Sequence, residues 1–431
     1  MMRMCKRLLL KRATVTLVLL ALLGCSGVSH SSGAGNNNET SNSNNAMENE
    51  SQESSPVSPE LASANSKFGF KLYSEVLKQS AGKNVFISPA SIGLCLAMTY
   101  NGAQGETQTE MARALEVHGM DLDQLNQAYS RLKAALASAD PKVQLEIANS
   151  LWARMGVNFK QDFIERNRKF FNAEVTALNF GDPAAPSRIN SWVSDKTHGK
   201  ITEIVDSISP DTILFLINAI YFKGQWSKKF DPVKTKEEAF NTAGGSPKRV
   251  PMMTQTGKYQ YFESPDFQSV SLPYGNGRVS MYVFLPAQGK ALNDLHRQLT
   301  AVRWEEWMDE FAETDGSISL PRFKLEYEIT LNDALKAIGM AAAFDAGRAD
   351  FSGMADQTER IYISRVKHKT FAEVNEEGTE AAAVTSTEMR TTSAMRPRKP
   401  FRMVVDRPFF FAIRDNETGT VLFMGSILDP Q

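Results

Sequence analysis

Residues 368–390 read His368-Lys369-Thr370-Phe371-Ala372-Glu373-Val374-Asn375-Glu376-Glu377-Gly378-Thr379-Glu380-Ala381-Ala382-Ala383-Val384-Thr385-Ser386-Thr387-Glu388-Met389-Arg390. A β-rich run over 370–374 ends in two carboxylates and a glycine, and a stretch of small residues follows. Alternate positions of that stretch differ in kind. Thr379, Ala381, Ala383, Thr385, Thr387 and Met389 are small or apolar, whereas Glu380, Ala382, Val384, Ser386, Glu388 and Arg390 hold every charge. Side chains alternate faces along a strand, so the segment can enter a sheet with the first set buried and the second in water. One charge in the first set would be expensive to bury. A merely flexible Ala/Thr/Ser surface loop needs no such parity, and twelve residues in phase favour a loop built to become a strand.

Upstream, the pattern is helical first. Phe68, Leu72, Val76 and Leu77 share one amphipathic face. Ser88-Pro89-Ala90-Ser91 supplies a capped start for the apolar stretch 92–100, and 107–115 gives another helix start. Residues 143–153, 212–222, 269–273, 278–285, 316–323, 370–374, 409–414 and 421–427 are β-rich and bounded by Gly, Pro or Asp. Helices lead and strands accumulate later, which predicts an α+β fold with mostly antiparallel or mixed sheets rather than a repeating βαβ chain. With 431 residues, 42% of them hydrophobic, the chain can bury a large core. No repeat or second linker interrupts residues 61–431, which read as one domain.

The N-terminus differs. Arg3, Lys6, Arg7, Lys11 and Arg12 precede an apolar run of 11 residues, 13–23, too short for a spanning helix. A basic region and a short apolar region read as a secretory signal. Leu22-Leu23-Gly24-Cys25 closes it with a pattern that resembles a lipoprotein signal over residues 1–24, with Cys25 the acylated first residue; the bland alternative is an ordinary signal with a chance cysteine. Residues 25–60 are rich in Ser, Asn and Glu, too polar to offset ordering entropy, and read as a disordered tether. Without residues 1–24, 43 of the 48 basic residues remain against 49 acidic ones, about −6, with no basic stripe for nucleic acid. Of the three cysteines only Cys95 then remains, inside an apolar run where it reads as a core residue, so packing alone must hold the fold.

Several blocks resemble one family, the serpins. They are Asn84-Val85-Phe86-Ile87-Ser88-Pro89-Ala90-Ser91-Ile92 with Gly102-Ala103-Gln104-Gly105-Glu106-Thr107, then Leu216-Ile217-Asn218-Ala219-Ile220-Tyr221-Phe222-Lys223-Gly224-Gln225-Trp226. Ile318-Ser319-Leu320-Pro321-Arg322-Phe323, the stretch 368–383, and Asp406-Arg407-Pro408-Phe409 onward to Gly425 complete the set, in the family's order from about residue 66 to the end. The resemblance implies three β-sheets, eight or nine helices and an exposed reactive-centre loop at about 376–400. It also implies a monomer without cofactor that a target protease attacks as a substrate. The cleaved loop then inserts into the main sheet and traps the acyl-enzyme as a covalent complex.

Position by position, the resemblance makes Glu376, Glu377, Gly378, Thr379, Glu380, Ala381, Ala382 and Ala383 the hinge. Counting 14 residues beyond Gly378 sets the reactive bond at Thr392–Ser393, suited to elastase- or subtilisin-like serine proteases, with cysteine proteases a further class. Arg390 is the alternative position, open to trypsin-like enzymes, and cleavage at Arg396 would inactivate. Ser88, Ser91, Asn218 and His368 match the shutter, a hydrogen-bonded cluster under the sheet, and Trp226 matches the breach, where the loop enters.

Two rivals remain. The five histidines stand in no HExxH pair, and GxSxG elbows and glycine-rich phosphate loops are absent, so an enzyme is not expected. A non-inhibitory serpin acting as a binding or chaperone-like protein usually carries bulky, charged or proline residues in the hinge, unlike Thr379 and Ala381–Ala383. The N-terminus implies export, with lipid anchorage at the outer membrane or cell surface, or release as the alternative, and contact with membrane through the lipid only.

Overall fold

The computed structural model describes residues 57–137, 140–356, 361–379 and 399–430. Ser58 caps the first helix, Pro59–Gln79, its side chain accepting from the Leu61 amide with proline in the first turn. Pro59 and Glu60 thus belong to the helix rather than to the tether that composition assigned them. The helix buries Leu61, Phe68, Leu72, Tyr73 and Val76, the face that periodicity predicted. Ser88 likewise caps Pro89–Tyr100, all twelve residues of which are buried. A helix this apolar can exist only as a core pillar, and it stands under the sheet that carries the functional strands.

Nine α-helices and two hydrogen-bonded sheets make up the described residues, an α+β architecture as expected. The smaller sheet has six strands, in the order Phe323–Thr330, Ile363–Val374, Gly378–Thr379, Leu214–Gln225, Val143–Arg154 and Glu174–Leu178. The larger sheet has nine strands and is continuous because one strand, Pro247–Glu263, pairs with Lys236–Asn241 at one end, Ala312–Pro321 along its middle and Phe267–Pro273 at the other end. Two of the three sheets implied by the resemblance are here joined through that strand, and the smaller sheet stands as the third. Sequence reading passed over it, since Pro247, Pro251 and Gly257 look like punctuation. The single strand read at 316–323 is two, Ala312–Pro321 and Phe323–Thr330, because the chain passes from one sheet to the other at Arg322.

Candidate functional site

The smaller sheet is mixed, and the mixture locates the site. Ile363–Val374 and Leu214–Gln225 run parallel and pair from Ile363 against Leu214 up to Phe371 against Tyr221. Above that point they part. Gly378–Thr379 fills the fork, antiparallel to both: Thr379 lies opposite Val374 on one side and Gly224 on the other, and Gly378 lies opposite Gln225. The two strands therefore already hold a third chain segment between their upper ends. Thr379 is fully buried, with its hydroxyl 2.8 Å from the Tyr274 hydroxyl. Gly378 is required here: φ is +148° and a Cβ would lie 2.0 Å from the Gly224 carbonyl oxygen.

A braced turn delivers the chain into this fork. The indole of Trp226 stacks on Tyr274, with centroids 4.3 Å apart, and donates its N–H to the Asn375 carbonyl at 2.9 Å. The Trp226 amide donates to the Glu377 carbonyl, and the Phe230 amide donates to that of Glu376. The Glu376 carboxylate is buried; it accepts from Arg322 Nε at 2.8 Å, from Arg322 Nη2 and from the Thr235 hydroxyl. Burial by itself pushes that carboxyl's pKa up, but the Arg322 and Thr235 hydrogen bonds outweigh it and hold the group below the ordinary carboxylate range. Glu377 pairs with Lys229.

Lower down, His368 and Asn218 face each other across the parallel pair. Both are fully buried, as are Ser88 and Ser91. The Ser88 amide donates to His368 Nε2 at 3.1 Å, so the ring proton sits on Nδ1 and is donated to Asn218 Oδ1. The Asn218 amide donates to Ser91 Oγ at 2.6 Å, to the Ser91 carbonyl at 3.1 Å and to Asn149 Oδ1. The Ser88 hydroxyl donates to the Leu422 carbonyl at 2.6 Å. Burial lowers the His368 pKa to about 3, so the imidazole is neutral near pH 7. The cluster ties three strands, the pillar helix and the larger sheet together at the line along which a new strand would have to pass.

A family profile described as Serpin (serine protease inhibitor) matches residues 63–430. The chain belongs to the serpin family. It is 36% identical to an uncharacterized serpin-like protein of Thermococcus kodakarensis, over 97% of this chain and 98% of that one. It is 35% identical to the leukocyte elastase inhibitor of Homo sapiens, over 86% of this chain and 100% of the relative. Among solved structures, the thermophilic serpin tengpin in its native state superposes with a TM-score of 0.79 at 32% identity, covering 87% of this chain and 95% of tengpin. Human thyroxine-binding globulin complexed with thyroxine gives 0.77 at 27% identity, covering 86% and 98%. The neighbours thus include a protein named for inhibition and one named for binding a small molecule.

Within this serpin the structure brings Ser88, Ser91, Asn218 and His368 into one network, and Trp226, Glu376, Glu377, Gly378 and Thr379 into another. Glu380, Ala381, Ala382, Ala383, Arg390, Thr392 and Ser393 lie outside the described residues, as does Cys25. Sequence reading missed Asn149, Tyr274, Arg322 and Thr235, whose partners are 54 to 141 residues distant in the chain. One expectation needs correction. The sheet face opposite the core is not open to water along its length: Phe215, Ile217, Ala219 and Tyr221 lie beneath a cover that includes Ile189 and Val193 of the helix Ala185–Lys196 and Ile201, Ile204 and Val205 after it. A strand entering the fork would meet water on that face only towards its ends.

Proposed function

We propose that this serpin is an irreversible suicide-substrate inhibitor of serine endopeptidases that traps its acyl-enzyme by drawing the cleaved loop into the sheet. The observation that carries this reading is the seat of Gly378–Thr379 inside the fork, antiparallel to both neighbours. Extending that register one residue at a time, Ala381 arrives opposite Phe222, Thr385 reaches Asn218 and His368, and Met389 reaches Leu214, where the strand begins. The small set Thr379, Ala381, Ala383, Thr385, Thr387 and Met389 thus faces the core along the whole strand. Of the other set, Ala382, Val384 and Ser386 pass under the cover opposite Tyr221, Ala219 and Ile217. Glu380 stays above it, and Glu388 arrives between Phe215 at the lower end of the cover and Arg365, a charge of opposite sign. The sheet therefore accommodates residues through 389, which supports a reactive bond just beyond, at Thr392–Ser393, or at Arg390. The ten residues 380–389, once inserted, carry a tethered protease roughly 33 Å, at ~3.3 Å per residue. We also propose export and lipid anchorage through Cys25 to the outer membrane or cell surface, supported by the sequence of residues 1–25.

Incubation with an elastase- or subtilisin-type protease is expected to give an SDS-resistant complex, with release of a C-terminal peptide beginning at Ser393 by mass spectrometry. Turnover by each such protease without complex formation would overturn the inhibitory reading and leave a non-inhibitory binding protein. For the anchor, labelled palmitate should enter the wild-type protein and not Cys25→Ser.

A further inference from the structure

A cavity of about 830 Å³ is lined by residues that belong to neither the hinge nor the shutter. Its walls come from the last turn of Pro59–Gln79, the turn at 241–243, the helix Leu292–His296, the Arg407-Pro408 corner and Leu428. The volume falls in the range of about 300–1,000 Å³ that holds drug-sized ligands. Leu77, Leu292, Pro408 and Leu428 give it apolar walls. Lys78, Lys83, Lys290, Arg297 and Arg407 also line it, and among the described residues no aspartate or glutamate does. The carboxylates that pair with four of these cations, Glu75, Asp266, Asp294 and Asp406, all stand off the lining.

The inner wall is fixed by a buried relay. The Tyr73 hydroxyl lies 2.6 Å from Ser426 Oγ, which lies 2.8 Å from Nε2 of the lining residue His296. Burial holds His296 neutral, with its pKa lowered to about 4, so the positive character comes from the lysines and arginines. A second cavity of about 960 Å³ provides an internal contrast, because Glu305, Glu306, Asp309 and Glu417 line it beside its cations.

We propose that the first cavity binds an amphipathic organic acid of fatty-acid size, with its apolar body against the leucines and Pro408 and its carboxylate among the cations of the rim. The proposal is independent of the inhibitory reading. A ligand joining five separate segments of the folded chain, and absent from the unfolded one, raises stability by mass action.

Calorimetric titration of the mature chain with dodecanoate, dodecanol and dodecyltrimethylammonium tests it. Dodecanoate is expected to bind at least about tenfold tighter than the alcohol and to raise Tm, while the ammonium gives no binding. Lys83 and Arg297 are exposed, so the double variant Lys83→Glu/Arg297→Glu keeps the fold. It should weaken dodecanoate at least about tenfold and leave dodecanol unchanged. Ala243→Trp, which narrows the mouth, should weaken both. Equal affinity for acid and alcohol, undiminished dodecanoate binding in both variants, or no dodecanoate binding at all would overturn the assignment.

Discussion

At Thr379 the hydroxyl is spent on Tyr274, and the side chain has no exposed surface. An arginine there would put a guanidinium among Tyr274, Phe222 and Trp226, a cost of several kcal/mol. Since about 1.4 kcal/mol is a factor of ten, Thr379→Arg should slow insertion enough for deacylation to win. The number of serpin molecules cleaved per protease inhibited is expected to rise more than about tenfold, and an unchanged ratio would count against insertion. His368 makes a second residue-scale prediction. Its folded pKa, about 3, lies below the ordinary value of 6.5, so its contribution is fully present above pH 6.5 and is lost as pH falls towards 3. His296 acts in the same direction. The urea midpoint of the intact protein should fall from pH 7 to pH 5, with a slope of up to about 1.4 kcal/mol per pH unit for each proton. A flat midpoint would mean that His368 is not a buried neutral imidazole.

The element that matters most is the turn at 375–377, which holds the loop at the fork before any cleavage. Glu376→Ala removes two Arg322 hydrogen bonds and one from Thr235, and strands the guanidinium over the gap. The loss is about 1–3 kcal/mol, and it should appear as faster amide hydrogen exchange at Trp226 and Phe230, whose N–H groups bind this turn. Acid should mimic the variant. Glu376 is lowered below 4.5, so its support is present above that value and is lost as pH falls through its folded pKa. Much of this element was legible in the sequence, because alternation is local: Thr379 declares its buried side through its own neighbours, and Ser88 announces a cap. The braces were not legible. Arg322, Thr235, Tyr274 and Asn149 are ordinary residues until the sheets bring them to Glu376, Thr379 and Asn218, and one sequence carries no distances. The cover over Phe215–Tyr221 was hidden for a related reason, since alternation shows that two faces differ but not what lies on either.

Across the whole molecule, the sheet contains a defect, and the proposed mechanism has the chain's own loop repair it. The parallel pairing of Ile363–Val374 with Leu214–Gln225 stops at Phe371 and Tyr221, and above it the fork is closed only by two residues. Parallel pairs are somewhat less stable per residue than antiparallel ones. An inserted strand of residues 380–389 would replace one parallel ladder with two antiparallel ones and move Ala381, Ala383, Thr385, Thr387 and Met389 into the core. In the intact chain Thr379 sits in the fork and Phe401–Val404 pairs with Ala312–Pro321 in the other sheet, which on the proposed mechanism restrains the loop from both ends. On the proposed mechanism the intact fold is protected by a barrier and not by being the lowest state, so kinetic stability governs its lifetime. A single clip in the loop by a non-target protease removes the restraint. The clipped protein is expected to melt at least on the order of 10 °C above the intact one, and amides of 214–221 and 363–371 should exchange more slowly. Equal melting temperatures for the two forms, with the severed arm still open to a second protease, would leave the fork at Thr379 without a role in trapping.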